Sequence, residues 1–226
     1  MAKDSGTNSN GTLYVQFGCG LCAPEKWLNF DASPTLRAQR LPLMGPILSE
    51  ILGISPKFPP GVQYGNVIRG LPVADGTCRG VYCSHVLEHL SLADLRLALR
   101  NVKRILHVGG TFRFVLPDLE NAVDIYRRSP ELDAAVGFVK STGLGMVTRP
   151  RGLMEWLRFI YGNSRHLWMW DYKSLAAELA DAGFCGIRRA TCGDSSDKHF
   201  LLVEDPVRWA DALGIECFAG QYEPPS

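Results

Sequence analysis

The sequence predicts an α/β fold: a mostly parallel, seven-stranded sheet with an antiparallel last strand and one inserted segment. Three observations point there. Short apolar runs alternate with helical patterns, as expected of a parallel sheet covered on both faces. The first run ends in Gly-Cys-Gly at 18–20, a turn into which a ligand can approach. The last two runs have no helix between them, so they are expected to pair antiparallel.

The elements follow in order. TLYVQF (12–17) is a buried strand and WLNFD (27–31) a second. Residues 34–60 are rich in proline and read as broken helix and loop. VQYGNVI (62–68) and GVYCS (80–84) are the third and fourth strands. Ser91 caps a helix, with Asp94 as its capping-box partner and Leu92, Leu95, Leu99, Val102 and Leu106 along one face. Gly109-Gly110 is expected to end it. TFRFVLP (111–117) is a strand of strong β formers, and a helix starts near Leu119. An irregular insertion covers 129–170. Then comes a helix over 171–184, capped by Asp171 and ended by Gly183. CGIRRATC (185–192) and HFLLVE (199–204) close the sheet. One domain thus spans 12–205, with a flexible tail at 1–11 and a C-terminal extension at 206–226.

Composition removes several function classes. The 226 residues suffice for one domain with a sizeable core. Lys and Arg number 24 against 23 Asp and Glu, a net charge of +1, which leaves no footprint for nucleic acid or anionic lipid. The basic RPRG at 149–152 reads as a solvated loop. No apolar run approaches the ~20 residues that cross a membrane, and the polar first residues hold no signal-peptide core. The expected location is the cytoplasm. Seven cysteines, odd in number and irregularly spaced, fit reduced thiols. Cys19 and Cys22 form a C-x-x-C with no second pair to complete a zinc site.

Asp31 ends the second strand, eleven residues after Gly20. In nucleotide-binding sheets an acid there accepts hydrogen bonds from ribose hydroxyls. The third glycine of a dinucleotide fingerprint is missing, since position 23 is Ala, and little chain remains for a crossover helix to receive a pyrophosphate. A nucleoside without phosphates fits better.

VQFGCG, NFDAS, RGLPVADGTCRGVYCSHVLEHL, RILHVGGTFRFVLPDLE and HLWMWDYKSLAAELADAGF follow one another in order. This set resembles the class I S-adenosylmethionine-dependent methyltransferases, in particular a bacterial branch with a shortened first crossover, often tied to polysaccharide and glycoside pathways. The resemblance implies a Rossmann-like fold and S-adenosyl-L-methionine as cofactor. It sets Gly18, Cys19 and Gly20 under the methionine part, Asp31 and Ser33 at the ribose, Gly70 and Leu71 by the adenine, and Ser84 and His85 across the open end. Gln16 departs from the pattern, which has an acid two residues before the first glycine.

His85, Glu88 and His89 form H-x-x-E-H, a spacing also found on the zinc-binding helix of some proteases. Here it begins at a strand end, and the next helix is capped only at Ser91, so a protease is not expected. Two readings stay open. The resemblance implies that His85, Glu88 and His89 can hold a divalent ion such as Mg²⁺, with Asp118 beside it. The plainer reading is that Glu88 and His89 hydrogen-bond the turn internally.

Trp156, Phe159, Tyr161, Trp168 and Trp170 crowd the end of the insertion. Their loop position favours a lid over pure core, and aromatic faces suit both a sulfonium and a sugar ring. The expected reaction is therefore methyl transfer to a hydroxyl of a small-molecule acceptor, a saccharide by first choice. His166 is expected as the base, His85 as the residue orienting the acceptor (the reversed assignment stays open), and Asp118 as a further catalytic residue. No nucleic-acid or membrane partner is expected, and a homodimer is compatible with this reading. The alternatives are a non-catalytic S-adenosylmethionine-binding module and a nicotinamide-dependent dehydrogenase.

Overall fold

The computed structural model describes residues 13–40, 57–152 and 165–220. Its centre is a seven-stranded sheet of order β3-β2-β1-β4-β5-β7-β6. The strands are β1 (Leu13–Phe17), β2 (Leu28–Asp31), β3 (Val62–Tyr64), β4 (Cys78–Ser84), β5 (Leu106–Pro117), β6 (Phe184–Ala190) and β7 (Ala212–Ala219). β1 to β5 run parallel to one another, and β7 runs antiparallel to both β5 and β6. This is the mostly parallel, Rossmann-like α/β sheet that the sequence predicts. Phe17, Asp31, Tyr64, Ser84 and Pro117 therefore end at one edge, where β7 begins with Ala212 opposite Pro117.

Local chemistry sets the helices. Ser33 caps α1 (Pro34–Gln39) by accepting from Thr35 N. Ser91 caps α2 (Leu92–Ile105) by accepting from Asp94 N, and its hydroxyl donates to Asp94 Oδ2 at 2.8 Å, so the two residues pair through their side chains. Asp118 and Asp171 cap α3 (Leu119–Arg128) and α5 (Tyr172–Asp181). The helix α4 (Ala134–Ser141) lies in the inserted segment. Among the described residues no helix is long and apolar enough to cross a membrane.

The two faces of the sheet are covered differently. On one, Val15, Phe17, Val81, Phe112 and Phe114 pack with Leu95, Leu99, Val102, Leu175 and Leu179 of α2 and α5. On the other, Tyr14, Tyr82 and Val115 pack with Trp27, Phe200, Val203 and Trp209. The link from β1 to β2 is too short for a crossover helix. Residues 191–209, with a 3-10 turn at Lys198–Leu202 and α6 (Pro206–Trp209), roof that face instead.

Arg113 fastens this roof. Its side chain is 0% exposed, and its guanidinium carbon lies over the Trp209 ring, 4.6 Å from the centroid. It donates to Asp194 Oδ1 (2.8 Å), Glu216 Oε2 (3.1 Å), Thr191 O (2.6 Å) and Glu204. Arg188 reaches Glu216 and Asp194 from β6. Burial pushes the Asp194 carboxyl up, but Arg188, the Thr191 N–H and Arg113 outweigh it and hold it well below the carboxylate range.

Three expectations are corrected. HFLLVE (199–204) is not a strand; it lies largely in the 3-10 turn, with Phe200 and Val203 plugged into the second core. The seventh strand is Ala212–Ala219, so the sheet extends past the boundary expected at 205 into the supposed extension. Gly109-Gly110 does not end a helix: α2 stops at Ile105, and the glycines lie in an irregular stretch of β5, between the pairs Cys78–Leu106 and Gly80–Thr111. Gly109 has φ +78°, and a Cβ on Gly110 would sit 2.9 Å from Cys78 O, so neither position suits a side chain. The tail 1–11 and Trp156, Phe159 and Tyr161 of the expected lid lie outside the described residues.

Candidate active site

β1 delivers the glycine turn to the carboxyl edge. Gly18 and Gly20 have φ of +61° and +54°. A Cβ on Gly18 would lie 2.3 Å from Val86 Cγ2, so glycine lets this turn pack against the one after β4. A Cβ on Gly20 would meet nothing within 4 Å, which leaves that side open to a ligand. Asp31, buried at the end of β2, holds the turn: Oδ2 accepts from Gly20 N at 3.0 Å and Oδ1 from Ser33 N at 2.7 Å. A carboxylate has about four lone-pair directions, so acceptor capacity remains on both oxygens. Ser33 spends its hydroxyl on the α1 cap. Burial, then Asp31, push the Cys19 thiol up to about 12, so it lines the turn uncharged.

Gln16 explains its own departure from the acid. Its Nε2 donates to Cys22 O at 2.8 Å and to Asn29 Oδ1 at 2.5 Å, while Asn29 donates to Trp27 O and Pro24 O. An ionised acid could donate to neither. The amide tethers the short first link to β2.

Gly70 and Leu71 are placed differently from each other. Gly70 turns towards Asn101 and Arg104 in the last turns of α2, away from the carboxyl edge. Leu71 is buried and reaches beneath Gly65, while Arg104 holds its carbonyl. The residues at the edge are Gly65, whose N donates to Asp31 O at 3.1 Å, and Asn66, whose Oδ1 accepts from Ile68 N at 2.8 Å. Sequence reasoning missed Asn66, although its place two residues after β3 was a usable signal.

At the end of β4, Ser84 Oγ accepts from Arg208 Nε at 2.8 Å and Ser84 O from Arg208 Nη2 at 3.1 Å. Arg208, from the supposed extension, was also missed. His85 has φ +52°, a left-handed conformation that costs a non-glycine residue about 1–2 kcal/mol. Its backbone N donates to Val115 O, its Nε2 bonds Arg208 O at 2.8 Å, and its Nδ1 lies 3.4 Å from Glu88 Oε1. Glu88 raises the His85 pKa against the opposing effect of burial.

Glu88 is the centre of the site. It sits in a 3-10 turn (Leu87–His89), is 1% exposed, and neither carboxylate oxygen has a hydrogen-bond partner. Besides His85, His89 Nε2 and His166 Nε2 each lie 3.9 Å from Oε1. The two rings meet edge to face with centroids 5.0 Å apart. Leu167 N and Trp168 N both donate to Glu88 O, which lays residues 165–168 over the turn. The structure thus gathers His85, Glu88, His89 and His166, which the sequence had divided between metal binding and base catalysis.

Asp118 is not in that group. Its Oδ1 accepts from Glu120 N in the α3 cap, and its Oδ2 faces Arg189 at 3.5 Å. A backbone bridge ties it to Trp170, which stands 5.7 Å from Trp168. Trp168 is 40% exposed beside the cluster, whereas Trp170 is core. A cavity of about 560 Å³ lined by Arg100, Lys103 and Gly220 lies by the opposite, amino edge.

Two expectations about metal can be tested on the donor set. The helical geometry of a zinc protease is absent, because His85 precedes a single 3-10 turn. Magnesium fits poorly too: it takes oxygen ligands, whereas this cluster offers one carboxylate among three imidazoles. Imidazole with carboxylate suits borderline transition-metal ions.

Residues 54–114, about a quarter of the chain, match a family described as a methyltransferase domain. A comparison with curated proteins finds no match. Among solved structures, a chain from the complex of the Haloferax volcanii Trm112 methyltransferase activator with a methyltransferase is 16% identical, with 96% of this chain and 86% of that one covered and a TM-score of 0.49. YcgJ from Bacillus subtilis gives 13% identity, 92% of each chain and 0.47. A SAM-dependent methyltransferase from Thermotoga maritima gives 15%, 91% and 81%, and 0.46. The domain match supports the expected enzyme class.

Proposed function

We propose that this chain is an S-adenosylmethionine-dependent methyltransferase acting on a hydroxyl of a small-molecule acceptor, a sugar. The observation that carries the reading is the joint of Asp31 with the open glycine turn, beside a cluster of imidazoles around the buried Glu88 carboxylate on the same sheet edge. The donor lies over Gly18–Gly20, with its ribose hydroxyls on the remaining lone pairs of Asp31. Ser84 and His85, next along the edge, bound its reactive end. The acceptor oxygen attacks the methyl carbon as the carbon–sulfur bond breaks, and S-adenosylhomocysteine leaves. Alignment in a dry pocket supplies most of the acceleration. The half-exposed Trp168 offers a flat face for the C–H side of a sugar ring, and the cluster around Glu88 handles the acceptor proton.

Titration calorimetry with S-adenosylhomocysteine and NAD tests the donor site; binding of NAD alone would make the protein a dehydrogenase. Labelled donor with a panel of sugars tests turnover, and donor binding without transfer to any acceptor would leave only a binding module. Asp31→Ala is expected to weaken S-adenosylmethionine binding by about 1.5–3 kcal/mol, the range for hydrogen bonds to a charged group. Unchanged affinity would remove Asp31 from the site.

A further inference from the structure

We propose that Glu88, His89 and His166 bind one first-row transition-metal dication, of the zinc or cobalt kind, which fastens residues 165–168 to the turn after β4. One carboxylate oxygen and two imidazole nitrogens lie within 4.8 Å of one another there. Hydrogen bonding fixes which nitrogens face inward. His89 Nδ1 bonds Arg165 O and His166 Nδ1 bonds Thr142 O, both at 2.7 Å. A carbonyl oxygen only accepts, so each ring carries its proton on Nδ1 and, when neutral, presents a bare lone pair at Nε2. Both lone pairs face Glu88 Oε1, which makes no hydrogen bond here and has the His85 ring as its other neighbour.

Three acceptors converging on a buried carboxylate repel one another unless something electron-poor lies between them. A proton on either Nε2 does not answer this, because 3.9 Å exceeds hydrogen-bond reach. A water has two protons for three acceptors. A dication accepts all three, and the carbonyls behind the rings are the outer partners that metal-bound histidines use to fix tautomer and orientation. Metal–ligand bonds of about 2.0–2.2 Å set ligand atoms ~3.4 Å apart, so atoms that now lie within 4.8 Å of one another must close in by roughly 0.5–1.4 Å, which rotation of the side chains supplies. His85 Nδ1 lies 3.4 Å from the same oxygen and helps to position the carboxylate. Bound there, such an ion would lower the pKa of a coordinated hydroxyl.

The inference deepens the methyltransferase reading, but it is tested without substrate or donor, so the two fail separately. Chelator-stripped protein is titrated with Co²⁺ and with Zn²⁺ by calorimetry, with the Co²⁺ absorption spectrum as a second readout. One ion per chain is expected, with visible bands that Zn²⁺ abolishes and equimolar Mg²⁺ leaves in place. His166→Ala and Glu88→Gln are expected to weaken binding at least tenfold with folding checked by circular dichroism, whereas His107→Ala, at an exposed ring bonded to its own Val108 carbonyl, keeps it. Wild-type protein that takes up neither ion overturns the proposal whatever the variants do. Full-affinity binding by His166→Ala, or equal competition by Mg²⁺, also overturns it. Ion binding without methyl transfer would retain the site and sink the enzymatic reading.

Discussion

Arg113→Met lowers the unfolding free energy by about 3–5 kcal/mol, the cost of removing one partner from a buried ion pair. The guanidinium is fully buried and faces Glu204 and Glu216, both nearly as buried, as well as Asp194. Methionine fills part of the volume but leaves Asp194 and Glu216 to Arg188 and takes from Glu204 the guanidinium it pairs with. Out of a total stability of about 5–15 kcal/mol, such a loss is large. Denaturant unfolding monitored by tryptophan fluorescence measures it, since Trp209 lies against the guanidinium. A change below about 1 kcal/mol would mean that the network contributes little.

His166→Ala lowers kcat by about 10²–10⁴, while the affinity for S-adenosylmethionine stays near that of the unaltered protein. His166 belongs to the segment laid over the Glu88 turn, whereas the donor contacts proposed here come from β1, β2 and the end of β4. Loss of the ring removes one of the groups to which the proposed reaction gives the acceptor proton and leaves the glycine turn intact. Single-turnover rates at saturating donor, set beside calorimetry of the donor alone, separate the two effects. Collapse of donor affinity with a preserved saturated rate would make His166 a cofactor contact instead.

Much of the fold was legible because local rules carried it. The first run entering Gly-x-Gly, the Ser91 cap and the Asp171 cap depend on neighbours a few residues apart, and each occurs where the sequence puts it. β7 escaped because its buried Glu216 breaks the apolar pattern, and that burial depends on Arg113 and Arg188 from other strands. Gly109-Gly110 followed a good helical pattern, and only its cross-strand neighbour Cys78 shows why glycine is needed. In the site, His85, Glu88 and His89 were readable as a local motif. His166 and Arg208 join them across 78 and 123 residues of chain, a distance no local signal spans.

The place of β7 also dictates an order of assembly. β6 is made first, yet within the sheet its hydrogen-bonded neighbour is β7. During synthesis the strands β1 to β5 can pair as they emerge, but Phe184–Ala190 must wait until Ala212–Ala219 has been translated and threaded into the gap beside β5. Until then β5 keeps an open edge of strong β formers, a surface that invites pairing with another nascent chain. A ribosome stalled between the two strands would therefore display a sheet with the glycine turn already shaped and its last edge unsealed.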